Sequence, residues 1–207
     1  MRKKKKNIKK RRTNFRYNEN DERTIGEDIL SFVSTFLVVS ILIILVSAFL
    51  FKPALIQGRS MYPNFQNGDR GVSNVIGVSV EGIQRGDIVL AKTTTEKGEP
   101  TTVIKRVIGL PGETVECKEE QVYIDGKPLD ESEYLDNDYA KEWKETNGYF
   151  NYNFDPVTLQ EDEYFLMGDN RPISMDSRDT GPYKKSSILA KDFLVVYPFE
   201  HFGYYEK

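Results

Sequence analysis

Two kinds of hydrophobic patterning divide this chain. From Ile29 to Phe51 the residues ILSFVSTFLVVSILIILVSAFLF form an uninterrupted apolar run without a charge. As a helix of ~1.5 Å per residue the run reaches ~34 Å, enough to cross a ~30 Å hydrocarbon core. Strands rarely exceed about ten residues, so the run predicts one membrane-spanning helix. Beyond Lys52 short stretches rich in Val, Ile, Tyr and Phe recur between Gly, Pro and Asp, which is the pattern of strands. Strands are expected at residues 71–76, 87–92, 102–108, 121–124, 164–167 and 190–197. Asp125-Gly126 after Ile124 is a two-residue hairpin signal, and Pro111-Gly112 marks another turn. Between Ser132 and Thr146, Tyr134, Leu135, Tyr139 and Trp143 recur at roughly helical spacing before an Asn-Gly break, which predicts an inserted helix or loop. The fold class expected is mainly β: a single-pass N-terminal transmembrane helix, then an all-β domain with that small insertion.

Charge supplies the orientation. The formal net charge of −3 hides an asymmetry, because residues 1–28 carry eleven Lys or Arg against five acids and residues 52–207 carry eighteen against twenty-seven. Ten of the first sixteen residues are basic and none is acidic. The positive-inside rule therefore predicts a cytoplasmic tail (1–28), a signal anchor (29–51) and an extracytoplasmic domain (52–207). A cleaved leader would have a shorter apolar stretch, roughly 7 to 15 residues, and a small-residue cut site. The basic tail reads as a topology signal and a contact for anionic head groups of the lipid bilayer. The acidic body argues against nucleic acid, since polyanion binding needs clustered positive charge.

One cysteine, Cys117, and one histidine, His201, leave little room for disulfide, thiol or metal chemistry. Cys117 is expected to be an incidental thiol and His201 a surface or packing residue. No metal and no cofactor is expected.

The candidate chemistry lies in Gly58-Arg59-Ser60-Met61-Tyr62-Pro63, nine residues past the apolar run at Ser60, and in Lys105-Arg106-Val107-Ile108-Gly109. A serine hydroxyl attacks only after a base takes its proton, and the usual histidine base is nearly ruled out by a lone His201 in an aromatic neighbourhood. Lys105 is the best candidate. At its ordinary pKa of ~10.4 a lysine is neutral in about one molecule in 2,500 at pH 7, so the amine must be desolvated. Strand alternation places Lys105 with Val103 and Val107 on a buried face. Read singly, Ser60 could cap a turn and Lys105 and Arg106 could be solvated strand charges. A third motif weighs against that reading: Gly168-Asp169-Asn170-Arg171, followed by Ser174, Asp176, Ser177, Arg178 and Gly181, is denser in hydrogen-bonding groups than a plain turn requires.

With these three motifs the chain resembles the bacterial type I signal peptidases, membrane-anchored serine proteases with a Ser-Lys dyad, over the anchor and nearly all of the following domain. The resemblance implies an endopeptidase that removes signal peptides from exported preproteins at small-x-small junctions. It implies Ser60 as nucleophile and Lys105 as general base, with Gly58, Met61 and Pro63 in the cleft or oxyanion region. Ser174 would hydrogen-bond and orient the Lys105 amine, Asp176 and Arg178 would form an ion pair, and Asp169 would belong to the same supporting shell. Arg106, Gly109 and the box Arg85-Gly86-Asp87-Ile88-Val89 would be structural. Some relatives carry a hydroxyl two places before the nucleophile; Gly58 stands there, so the oxyanion would rest on backbone donors. Implied partners are secreted preproteins and the bilayer, with proximity to the secretion translocon, at the cell membrane.

Ser60 lies within ~30 Å of the end of the apolar run, close to where a membrane-held substrate presents its cut site. Small residues there call for shallow apolar pockets, for which Ile56, Phe65 and Val103 are candidates. Three other readings stay open: a self-cleaving Ser-Lys protein, disfavoured because no DNA-binding module is evident; a catalytically silent anchored scaffold; and a peptidase dedicated to a narrow class of precursors.

Overall fold

The computed structural model describes residues 25–95 and 97–206. The basic tail up to residue 24 lies outside the described residues. The chain divides into two compact units between Ile44 and Leu45.

Helix α1 runs from Ile25 to Leu50, 26 residues or ~39 Å, with none of its side chains buried. Its most apolar stretch has a mean hydropathy of 2.9. Glu27 and Asp28 sit in the first turn, where the positive end of the helix dipole favours acids. The described helix thus includes the four residues before the expected start. It also stops one residue early: Phe51 opens strand β1 (Phe51–Leu55), because Pro53 cannot continue a helix and drives Lys52 into extended backbone.

The remaining strands are β2 (Arg70–Asn74), β3 (Ile88–Thr94), β4 (Pro100–Gly109), β5 (Thr114–Lys118), β6 (Gln121–Ile124), β7 (Lys127–Pro128), β8 (Phe154–Thr158), β9 (Glu163–Met167), β10 (Tyr183–Lys184), β11 (Ile188–Tyr197) and β12 (Gly203–Tyr205). They form two antiparallel sheets. The larger has the order β1-β2-β11-β3-β4-β9-β10, with β12 also on β11; the smaller has the order β7-β6-β5-β8. All six expected strands are present within two residues of their expected bounds. The expectation missed the other six strands: β1 at the end of the apolar run, the short β7, β10 and β12, and β5 and β8, in which charged or polar residues interrupt the alternation. At the hairpin after β6, Asp125 and Gly126 have φ of +50° and +74°, as the sequence requires.

The inserted segment holds α3 (Asn137–Asn147), preceded in chain order by the one-turn α2 (Gly77–Val80) and followed by the one-turn α4 (Ser177–Thr180). Asp136 caps α3 by accepting from the Tyr139 N–H, and Gly148 ends it at φ +89°. The 132–146 expectation is therefore resolved as a helix with a short lead-in.

Three apolar clusters make up the core. One gathers Ile56, Met61, Phe65, Ile88, Leu90, Ile104 and Phe193. A second holds Val89, Ala91, Val107, Leu166 and Ile188. The third joins the larger sheet to the smaller through Ile108, Val115, Cys117, Val122, Phe165 and Met167. From Ile104 to Gly109 every residue of β4 is buried, so this strand is covered on both faces.

Candidate active site

Lys105 stands in the doubly covered part of β4, paired with Val89 of β3, while its neighbour Arg106 pairs with Met167 of β9. Lys105 is 3 % exposed, and it takes part in none of the ion pairs found among the described residues. Burial is the largest influence on its amine and pushes the pKa down. Asp176 pulls it back up, Arg178 pushes it further down, and Asp169 raises it; the balance takes the pKa from 10.5 to about 8. The expected face is occupied as anticipated, with Val107 fully buried and Val103 half-buried.

Ser60 lies half-buried in the turn after β1. Its carbonyl accepts from the Asn170 N–H at 3.0 Å, and the Arg59 carbonyl accepts from Asn170 Nδ2 at 3.0 Å. Gly168 packs against the same turn so closely that a Cβ there would lie 2.3 Å from both Ser60 O and Ser174 Oγ. Segment 168–178 is therefore the common neighbour of the two candidate residues. It holds the Ser60 turn by backbone contacts, and its Asp176, Arg178 and Asp169 set the electrostatics of Lys105.

Two buried ion pairs fix that segment. Arg178 Nε and Nη2 donate to Asp176 Oδ1 and Oδ2, each at 2.8 Å, and neither side chain is exposed. Asp176 also accepts from the Gly168 N–H at 2.9 Å and begins α4 with a capping box. Burial alone would raise the Asp176 pKa, but the Arg178 hydrogen bonds and charge hold it below the usual carboxylate range. Arg106 Nε and Nη2 donate to the two oxygens of Asp169 at 2.8 Å, and Arg106 Nη1 donates to the Gly86 carbonyl at 2.8 Å. The Arg85-to-Val89 box thereby joins the site as support.

No hydrogen bond joins Ser174 Oγ to the Lys105 amine in this structure, so the expected contact is not made; the buried hydroxyl lies beside the Asp176 carboxylate, which it helps to keep ionised. The hydroxyl is also pressed against Gly168. Met61 is buried in the cluster of Ile56, Leu90 and Ile104, and Pro63 is half-buried after a cis Tyr62–Pro63 bond. A groove of about 240 Å³ is lined by Lys52 to Gln57 on one side, Thr102, Val103 and Ile104 on the other, and Ser60 and Leu90. Ile56 and Val103 line it, as anticipated. Phe65 does not: its ring is fully buried, 5.5 Å edge-on from Phe193 and 4.7 Å from Tyr205.

Gly58 has φ +91° and its N–H donates to Asn67 Oδ1 at 2.9 Å. Cys117 is a core residue of β5, where burial pushes the thiol up to about 11, well away from a reactive thiolate. His201 Nδ1 lies 2.7 Å from Asp69 Oδ1, far along the chain from the three motifs. Among the described residues no group of His, Cys, Asp or Glu is arranged to hold a metal ion.

Four contributors carried no signal of their own in the sequence. Asn64 Nδ2 donates to Asp169 Oδ2 at 2.7 Å and to the Tyr134 carbonyl at 2.8 Å. Tyr134 lies 4.3 Å beneath the Arg106 guanidinium, Glu131 binds Arg171, and Tyr139 of α3 donates to Asn170 Oδ1 at 3.1 Å. Only the folded chain brings them to the motifs.

Residues 29–197 match the family model described as "Signal peptidase, peptidase S26". Signal peptidase I S of Bacillus subtilis is 36 % identical over 174 residues, 84 % of this chain and 91 % of its own length. Signal peptidase IB of Staphylococcus aureus is 29 % identical over 86 % of this chain and 94 % of its own. A solved signal peptidase I from Enterococcus faecalis is 35 % identical, with a TM-score of 0.42, over 52 % of this chain and 94 % of that one.

Proposed function

Because this chain belongs to the signal peptidase family, peptidase S26, it is a serine endopeptidase that removes signal peptides from preproteins, and we propose that Ser60 and Lys105 carry the reaction. The observation that carries this assignment is the convergence of both residues on segment 168–178, with Lys105 buried and its pKa at about 8. At pH 7 an amine of that pKa is neutral in about a tenth of molecules, some two to three hundred times more often than an ordinary lysine.

The neutral Lys105 amine takes the Ser60 proton as Ser60 Oγ attacks the scissile carbonyl. The tetrahedral intermediate then collapses, the ammonium returns its proton to the departing amine of the mature protein, and the signal peptide remains as an ester on Ser60. Lys105 next deprotonates a water, which releases the signal peptide and restores Ser60. The Ser174 hydroxyl, which makes no bond to Lys105 in the resting site, is the group that orients the amine during these transfers. Asp176, Arg178 and Asp169 hold the segment that brings it there.

The groove beside Ser60 receives the residues before the cut site. Its two walls are the strand end at Lys52–Gln57 and β4 at Thr102–Ile104, so an extended peptide between them alternates its side chains into Ile56, Leu90 and Ile104. Met61 supports that apolar floor from the core, and Pro63 and Gly58 shape the turn. The modest volume suits small side chains at alternate positions.

Helix α1 anchors the chain in the bilayer as a single pass, with residues 1–28 cytoplasmic and residues 52–207 outside beside the translocon's exit. The apolar length of α1 and the basic excess before it support that orientation. The test is cleavage of a purified preprotein with an Ala-x-Ala junction by the detergent-solubilised chain. Wild type should cut after the junction and gain rate as pH rises through about 8, while Ser60→Ala and Lys105→Ala should be inactive but folded. Activity at the wild-type level in Lys105→Ala would refute the dyad.

A further inference from the structure

We infer that Asn170, locked by Tyr139 of the inserted helix, is a positioning residue that aims the Ser60 N–H at the oxygen of the scissile carbonyl. The inference rests on Ser60 being the nucleophile, and it gives α3 a part in the reaction.

The geometry starts from one side chain and one amide. Asn170 is fully buried, and it grips the nucleophile turn twice: Nδ2 holds the Arg59 carbonyl and its own N–H holds the Ser60 carbonyl, both at 3.0 Å. The carbonyls of Arg59 and Ser60 are therefore both tied to Asn170, and the Arg59 carbonyl also accepts from the Tyr62 N–H at 3.2 Å. A trans peptide is planar, with its C=O and N–H pointing in opposite directions. Pinning the Arg59 carbonyl on Asn170 consequently turns the Ser60 N–H to the opposite side of that plane. Among the described residues this N–H meets no acceptor, whereas the Gly58 N–H is taken up by Asn67 Oδ1. With no side-chain hydroxyl at position 58, the Ser60 amide is a backbone donor available for the oxyanion at the nucleophile itself.

An asparagine can do this only in one amide orientation. Flipped, it would press Oδ1 against the Arg59 carbonyl. Tyr139 removes that ambiguity, because its hydroxyl donates to Asn170 Oδ1 at 3.1 Å. Tyr139 is itself fixed. Its ring stands edge-on to Tyr62, two residues past Ser60, at 5.1 Å, and it touches Trp143 and Phe150 at 6.0 and 6.1 Å. Lys144 ties the other end of α3 to Glu120 of the smaller sheet's hairpin at 2.7 Å. The inserted helix thus holds one hydroxyl against one amide oxygen, and that contact is transmitted to the Ser60 turn.

The test uses the full chain in detergent micelles, with Asn170→Asp and Tyr139→Phe beside wild type. Four quantities are read: kcat and KM on a preprotein, the affinity of a peptide aldehyde ending in Ala-x-Ala, and the affinity of the matching peptide alcohol. The aldehyde forms a tetrahedral adduct with Ser60 whose oxygen needs the aimed N–H; the alcohol does not. Asn170→Asp should lower kcat on the order of 100-fold, the usual effect of losing one oxyanion donor. Aldehyde affinity should fall in parallel, while KM and alcohol affinity stay within about twofold. Tyr139→Phe, which removes one half-exposed oxygen and should fold in any case, should lower kcat and aldehyde affinity about tenfold in the same pattern. The pH midpoint should remain at about 8 in Tyr139→Phe, which leaves the charges around Lys105 unchanged. Wild-type kcat and aldehyde affinity in Tyr139→Phe and Asn170→Asp would overturn the inference, as would an equal loss for aldehyde and alcohol. A wild-type chain that neither cuts preproteins nor binds the aldehyde would instead overturn the assignment of Ser60 itself.

Discussion

Replacing Lys105 with methionine should make this protein more stable while abolishing its activity. Met keeps the length of the lysine stem and removes the charge that β4 buries. The drop of the Lys105 pKa from 10.5 to about 8 measures how much the folded site disfavours the ammonium. At ~1.36 kcal/mol for each pH unit this amounts to about 3 kcal/mol. The sign follows from proton linkage. Between about 8 and 10.5 the unfolded chain holds a proton on Lys105 that the folded chain has released, so wild-type stability rises with pH across that window. Below about 8 both states are protonated, and the whole cost of burying the charge is present.

Lys105→Met escapes that cost. Its advantage should be about 3 kcal/mol at pH 7 and roughly half that at pH 9.5. For a domain of this size the pH 7 value corresponds to a Tm increase of about 10 °C. Chemical unfolding followed by the fluorescence of Trp143, the one tryptophan, measures both numbers in detergent. A Lys105→Met protein that is no more stable than wild type at pH 7, or whose advantage does not shrink with rising pH, would refute a desolvated lysine.

Other outcomes follow from the same geometry. Gly168→Ala should reduce kcat at least tenfold, because the new Cβ would meet Ser60 O and Ser174 Oγ at 2.3 Å and one of them must move; unchanged kinetics would contradict the close approach. Asp176→Asn should cost roughly 3 to 5 kcal/mol by leaving Arg178 buried and unpaired. In whatever fraction folds, the activity midpoint should move below about 8, since Asp176 raises the Lys105 pKa; a pH–rate profile reads this directly. Cys117 should resist iodoacetamide at pH 8 in the folded protein, given burial and a pKa of about 11, and react once the protein is unfolded in urea, as mass spectrometry would show.

What the sequence made legible was local. The alternation through Val103, Lys105 and Val107 located a buried lysine, and the family resemblance implied the ion pair of Asp176 and Arg178 that the fold makes with two 2.8 Å bonds. Strand ends were missed by a residue or two because tertiary pairing extends β3 and β4 beyond their apolar cores into Thr93, Thr94 and Pro100. The smaller sheet was harder. β5 carries Glu116 and Lys118 beside Val115 and Cys117, and β8 contains Asp155 and Pro156, so neither shows a clean two-residue period. Ser174 was expected to bond Lys105 and instead lies beside Asp176 and against Gly168, a contact between backbone and side chain that no residue pattern encodes. Phe65 looked like a groove residue from its position after Ser60. The turn carries it inward, against Phe193 and Tyr205 from the far end of the chain.

Lys105 acting as a general base would face a problem, being surrounded by charge, that these ion pairs resolve. Asp169 and Asp176 near Lys105 would, if unpaired, hold the amine protonated and defeat its burial. Arg106 and Arg178, if unpaired, would depress its pKa but leave two buried cations without partners. Each carboxylate is instead gripped by both ends of one guanidinium, so each pair contributes almost no net charge while fixing the backbone on both sides of Ser174. Desolvation is then left as the largest influence on Lys105, which is the order of causes the site displays. The same two arginines reach further, Arg106 to the Gly86 carbonyl and Arg178 to the carbonyls of Arg171 and Ser174, so Arg106 joins motifs 20 and 63 residues away in sequence while Arg178 braces segment 168–178 from within. A lysine could be buried without such a scaffold, but it would then sit in whatever position packing dictated, with nothing tying it to the turn that carries Ser60.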